Sequence, residues 1–364
     1  MKHLLALFAL LFVTTADLEG AARRRSVRFP ATPWSIPQCG QVNGFPSVAV
    51  SLDGGATTLP HAENADELQI YTFGLATTRQ PNRLIAATDR VMLESNDAGC
   101  SWEITGFQLP HTGYSFVLGP GGVWAWSRVG PELFRFDGAA TGQRTAPMLL
   151  PLSFYTSLSD ANQLAMADDQ GAIWWSDDAG ATWAPVANAP GRAPFYAIEY
   201  APSGRQHMIA AGLADGAHVT FDAGRSWTRS AGLEGLNVFN VAFSPIAANV
   251  IWALAVDPRG TGITRRAIYR SADGGATFTR VLTASAEVDL SNAVDLVPSA
   301  HDVGIVYFAL PGTTLIALDP SGTVRQRSML PYRDVNAIVF SPGRPQVMYF
   351  GLKLSDMTAA PPAK

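Results

Sequence analysis

The chain has 364 residues, of which 47% are hydrophobic and 15% charged, with a formal net charge of −4. That is enough apolar sequence for one large core or two small ones. The mild acidity argues against counterion-driven binding to nucleic acid.

The N-terminus, "MKHLLALFALLFVTTADLEGAA", has a basic start, an apolar run from Leu4 to Val13 and small residues at Ala16 and Ala21–Ala22. This predicts a cleaved export signal over 1–22, with periplasmic or extracellular delivery, although Arg23, Arg24 and Arg25 follow closely. Removing it takes away Lys2, Asp17 and Glu19 and leaves 25 basic against 28 acidic residues. The apolar run is too short to span a bilayer, and no later segment reads as an integral membrane span. Lysine occurs only at 2, 353 and 364, a bias that suggests a GC-rich bacterial genome. Cys39 and Cys100 are the only cysteines; either they bridge after export or they are two separate buried thiols. Residues 23–44 read as a lead-in.

From residue 45 a short string recurs: "SLDGGATT" at Asp53, "SNDAGCSW" at Asp97, "SDDAGATW" at Asp178, "TFDAGRSW" at Asp222 and "SADGGATF" at Asp273. Degenerate copies lie at Asp137 and Asp319, giving intervals of 44, 40, 41, 44, 51 and 46 residues. Each unit carries two short strands, a third leading into the string ("AIYRS", "AIWWS") and a fourth leaving it ("TFTRV"). Four short β-rich runs at this period predict blades of an all-β, seven-bladed propeller of four-stranded antiparallel sheets. The chain ends on two strands with no string after them and begins on a third strand and a string. The two ends are therefore expected to share one blade and close the ring over 45–352, with 353–364 a disordered tail.

In this arrangement the aspartates are fold residues. Each accepts hydrogen bonds at the hairpin between third and fourth strands. Gly99, Gly180, Gly224 and Gly275 supply the turn, and Trp102, Trp183, Trp227 and Phe278 pack between sheets. These strings resemble the Asp-box, or BNR, repeat S-x-D-x-G-x-[TS]-W of sialidases, the sortilin ectodomain, xyloglucan-cleaving glycosidases and photosystem II assembly factors. The strand pair around "SP…VMYFGL" is most similar to the sortilin-like and assembly-factor repeats. That resemblance implies a binding or scaffold role in a WD40/YVTN-like setting rather than a particular chemistry.

Recognition is expected on the face opposite the boxes, where loop residues differ between units. Candidates for holding a protein or glycan partner are Arg259, Arg265 and Arg266 in "AVDPRGTGITRRA", Arg192 and Tyr196 in "APGRAPFY", and Tyr332, Arg333 and Asp334 in "LPYRDVN". His111 and Tyr114 in "LPHTGY" join them. No cofactor and no metal is expected: the six histidines show no ligand spacing, "GPGGVW" lacks the Lys-Ser/Thr of a phosphate loop, and no G-x-S-x-G occurs. Trp174 and Trp175 are adjacent on a strand and are expected to stack on neighbouring blades. The alternative is a secreted sialidase-like glycosidase, for which "VRFP" offers Arg28 and Pro30 as a weak arginine motif, but no tyrosine–glutamate pair can be assigned. The expected protein is a monomer.

Overall fold

In a computed structural model of the protein, the described residues are 33–39, 48–61, 72, 74–88, 90–137, 140–191, 194–290, 295–310, 314–329, 333–344 and 346–354. They form seven four-stranded antiparallel sheets, each a blade, and one 3-10 turn at Ile263–Arg265. Blades I to VI span residues 74–108, 115–145, 153–185, 195–229, 237–283 and 297–329.

Blade VII is built from both ends of the chain. Arg333–Phe340 and Met348–Leu354 are its inner strands, and Val48–Ser51 and Leu59–His61 its outer ones. Val48 pairs with Gly351 and Ser51 with Met348, so a ladder between residues about three hundred positions apart in sequence closes the ring. Closure leaves no open sheet edge between the first and last blades.

Inner strands such as Leu84–Thr88 and Ser115–Gly119 are buried at every position, because each blade is sandwiched between two neighbours. The outer strand Glu103–Gln108 is largely exposed. The apolar core is accordingly a series of layers. Among the described residues each blade-to-blade interface carries its own cluster, for example Ile85 and Met92 against Phe116 and Phe134 between blades I and II. First strands are also tied directly around the axis. Thr77 donates to the carbonyl of Phe340, Tyr155 to that of Tyr200, and the Phe243 N–H donates to Glu199.

The lead-in is not separate from the propeller. Residues 33–39 form a strap over the seam between blades VII and I. Trp34 fills an apolar slot with Val48, Leu75, Trp102 and Tyr349, and its carbonyl accepts from the Arg344 guanidinium at 2.6 Å. Asn82 and Ser35 hydrogen-bond each other twice. Cys39 is joined to Cys100 by a disulfide, with Cα atoms 5.1 Å apart. The last strand also runs two residues past the expected boundary at 352, to Leu354, because Asp334 and Arg333 continue its ladder. Residues 1–32 and 355–364, which include the expected export signal and most of the tail, lie outside the described residues.

Candidate functional site: the box hairpins and the opposite mouth

All seven strings fall between third and fourth strands. In the five strong copies the bonding is nearly identical. The carboxylate of Asp178 accepts the Thr182 N–H at 2.8 Å, the Thr182 hydroxyl at 2.6 Å and the Ser176 hydroxyl at 2.8 Å. The Ser176 oxygen in turn accepts from Gly180 N–H. Asp53, Asp97, Asp222 and Asp273 repeat this pattern with their own Ser or Thr partners. These donors favour the charged form. Asp178 and Asp222 are pulled down to about 2, chiefly by the hydroxyls of Thr182 and Ser226, then by the backbone N–H groups of the same residues. Asp319 keeps a reduced version with Ser321 and Thr323, and Asp137 lies 3.5 Å from Arg135.

The residue before the box glycine holds a second function that the sequence did not reveal. Its N–H bonds to a carbonyl in the first hairpin of the same blade: Ala98 to Asn82, Ala179 to Asn162, Ala223 to Gln206, Gly274 to Asn249 and Gly54 to Gln346. Each box therefore clamps the two hairpins of its blade. The cost is a left-handed alanine in three copies, with φ of 63° at Ala98, 54° at Ala179 and 60° at Ala223. Trp102 and Phe278 are buried between blades, and Trp183 and Trp227 pack against the clusters between their own blade and the one before. Trp175 joins the cluster between blades III and IV under the Arg205 guanidinium, while Trp174 reaches Asp168.

In a four-stranded meander the box hairpins and the first hairpins share one face. Second-to-third-strand loops and blade-to-blade connections occupy the other, and those candidate loop residues that are described lie there. Arg192 and Tyr332 are outside the described residues, and of Arg333 only the backbone, opening a strand of blade VII, is described. Arg259 pairs with Asp257 of its own loop at 3.2 Å, and the loop neck is closed by the Asp257 N–H donating to the Arg265 carbonyl. Arg266 starts a strand of blade V opposite Val256.

Among the described candidates the structure brings Tyr196 to the axis, and it does so by a β-bulge. The ladder of Phe195–Ala201 skips from Phe195 to Ala197, that of Asn237–Ser244 from Val238 to Asn240, and that of Arg333–Phe340 from Val335 to Ala337. Bulges re-aim the residue they leave unpaired. Tyr196 and Phe239, the residues skipped in blades IV and V, meet with ring centroids 5.6 Å apart and pack with Val256, Leu152 and Leu213. Arg128, from the second-to-third-strand loop of blade II, lies over the Tyr196 ring at 5.5 Å. Burial pulls its guanidinium down to about 10, opposed by Tyr196 and Asp295, so it remains a cation. Asn240 donates to Asp295 at 3.1 Å. Sequence reasoning missed Arg128, Phe239, Asn240 and Asp295, since no repeat marks a bulge.

On the same face Tyr114 stacks on His111, its hydroxyl 3.0 Å from Nε2, and Glu132 lies 3.5 Å from that nitrogen. A tyrosine nucleophile is activated by an adjacent base or by a lowered phenol pKa. Burial pushes Tyr114 and Tyr196 the other way. Among the described residues no group of three or more His, Cys, Asp or Glu is placed to hold a metal ion, and no helix is long and apolar enough to cross a membrane.

Seven four-stranded blades around one axis, closed by strands from both termini, define a β-propeller. No family model matches the chain. It is 31% identical over 359 residues to the Dispase autolysis-inducing protein of Streptomyces mobaraensis, covering 94% of this chain and 96% of that one. The chain belongs to the family of that protein. Among solved structures it is similar to the GH74 xyloglucanase of Xanthomonas campestris (TM-score 0.54, 17% identity, 81% of this chain) and spans about half, 55%, of its length. It is also similar to YCF48 bound to D1 peptide (TM-score 0.50, 16% identity, 88% of this chain and 100% of that one). These two likenesses show the fold, which serves both hydrolases and binding proteins.

Proposed function

We propose that this chain is an exported Asp-box propeller that performs no chemistry of its own and binds a protease through the face opposite the boxes. The observation that supports this most is the relationship, along nearly the whole length of both chains, to a protein named for inducing the autolysis of Dispase. The box carboxylates are engaged by hairpin donors, three on Asp178, and the buried Tyr114 and Tyr196 of the opposite face are raised in pKa. Both facts favour a binding role over a sialidase-like one. A propeller that prefers a partly opened form of a protease raises the population of that form. Neighbouring protease molecules then cut the exposed backbone, so inactivation follows from binding alone.

The test is incubation with Dispase at several protease concentrations. The expected result is faster loss of full-length Dispase, with a rate that rises with the square of protease concentration. An unchanged Dispase half-life, or hydrolysis of a fluorogenic sialoside by the propeller alone, overturns the reading.

A further inference from the structure

We infer that Arg270, at the box-face end of the seam between blades V and VI, binds a carboxylate that comes from outside the chain. The site lies on the other face of the ring from the proposed protease contact and does not depend on it. Among the described residues four guanidiniums lie over aromatic rings: Arg128 on Tyr196, Arg135 on Trp124, Arg205 on Trp175 and Arg270 on Trp252, the last at 5.6 Å from the ring centre. Stacking of this kind orients the planar cation without neutralising it.

Three of the four find their carboxylate within the chain. Asp295 favours the charge of Arg128, and Arg205 meets Asp177 at 2.5 Å. Arg135 lies 3.5 Å from Asp137, and its Nε–H donates to the Gly121 carbonyl at 2.6 Å. Arg270 differs. Its Nε is buried and meets no acceptor among the described residues, and burial lowers its pKa with no acid acting in opposition. A buried cationic donor in that condition is costly until an acceptor reaches it.

The difference has a cause in the sequence. Trp124 and Arg135 face each other across the second and third strands of blade II as Trp252 and Arg270 do in blade V. Two residues beyond Arg135 stands Asp137; two beyond Arg270 stands Ala272. Counted from the box aspartate, Ala272 also occupies the place that Asp177 holds in the string of blade III. On the facing blade, Val324 follows Asp319 by five residues, where four of the strong strings carry Trp or Phe. The side chain that blade VI packs on the Trp252 cluster there is therefore smaller, and Arg270 is left half-buried.

The ligand class follows from the donors. Nε and one Nη of a guanidinium present two parallel N–H groups, the fork that the two oxygens of a carboxylate match. Asp137 and Asp177 bring the same group to Arg135 and Arg205. The Trp252 indole N–H is also buried without an acceptor, as is that of Trp124, so the guanidinium distinguishes the site and the indole reports on it.

The test follows the Trp252 indole N–H resonance in 15N-labelled protein, assigned with Trp252→Phe, at constant ionic strength. The probes are acetate, its neutral counterpart acetamide, and acetyl-Ala-Glu-Ala-amide, whose one carboxylate is the Glu side chain. A saturable shift is expected with acetate or the peptide and none with acetamide. Arg270→Gln is expected to weaken binding at least about tenfold, and Ala272→Asp, which supplies an internal carboxylate at an exposed position, to remove it. Thermal unfolding is run on each variant; should Arg270→Gln not fold, Ala272→Asp decides alone. A peptide bound at least about tenfold more tightly than acetate assigns the carboxylate to an acidic side chain of a protein, and equal or weaker binding assigns it to a free small acid. No saturable shift with either carboxylate overturns the inference. So does binding that stays within about twofold of wild type in folded Arg270→Gln or in Ala272→Asp.

Discussion

The indole Nε1 of Trp34 donates to the hydroxyl of Tyr349 at 3.0 Å, joining two residues 315 positions apart across the seam where the ring closes. The rings meet edge to face, with centroids 6.3 Å apart. One residue belongs to the strap, the other to the last strand, so a short segment outside the repeats holds first and last blades in register.

Trp34→Ala therefore removes a buried aromatic and leaves the Tyr349 hydroxyl without its donor. A loss of about 3–5 kcal/mol is expected in urea unfolding, typical of a large aromatic removed from a core. Trp34→Phe, which keeps the packing but not the N–H, should lose about 1 kcal/mol.

The disulfide acts at the same seam by a different route. Cys39 and Cys100 are separated by 61 residues, and the chain-entropy argument assigns a closed loop of that size about 4 kcal/mol. Cys39→Ser/Cys100→Ser should lower the unfolding midpoint, and a reducing agent should reproduce the shift in the wild type but not in the variant.

Removing one box carboxylate should be felt locally. Asp97→Ala strips the acceptor from Ser101 N–H, the Ser101 hydroxyl and the Ser95 hydroxyl. A loss of about 1–3 kcal/mol is expected, with hydrogen exchange accelerated first in the 95–102 hairpin.

Ala223→Gly should stabilise. An L-residue in the left-handed region costs about 1–2 kcal/mol, and glycine's extra unfolded freedom returns roughly 0.5–1 of that. A net gain of up to about 1 kcal/mol is expected from chemical denaturation, as the glycines already at 54 and 274 suggest.

His207 sets a pH dependence. Its Nε2–H donates to the Gly274 carbonyl at 2.7 Å while the ring stacks on Phe221 and meets Phe243 edge-on. Burial lowers its pKa, only partly opposed by that hydrogen bond. The folded state thus binds the proton less readily than the unfolded chain. Its contribution is complete above about pH 6.5 and declines as pH falls through the folded value. Urea midpoints should drop between pH 7.5 and 5.5, and the drop should be smaller in His207→Gln. The box carboxylates, shifted down, do not titrate in that window.

The blade number and the placement of every box hairpin were legible in the sequence because Asp53, Asp97, Asp178, Asp222 and Asp273 solve the same local problem with the same residues. Local bonding repeats, and repetition is visible. What was not legible depends on register between blades. The bulges that turn Tyr196 and Phe239 to the axis are set by how each first strand meets its neighbour. Arg128 matters only because Tyr196 lies beneath it, and Trp34 only because Tyr349 comes round from the far end. Tyr196 was singled out for a loop and proved to be a buried strand residue.

The shared blade has a bearing on biosynthesis. Val48–Ser51 leaves the ribosome long before Met348–Leu354, its only inner neighbour, exists. For most of translation the earliest strand is an unsatisfied template, open to pairing with another molecule. A chain with these ends gains by staying unfolded until synthesis is finished, and a permuted version opened before residue 74 should assemble blade by blade as it emerges.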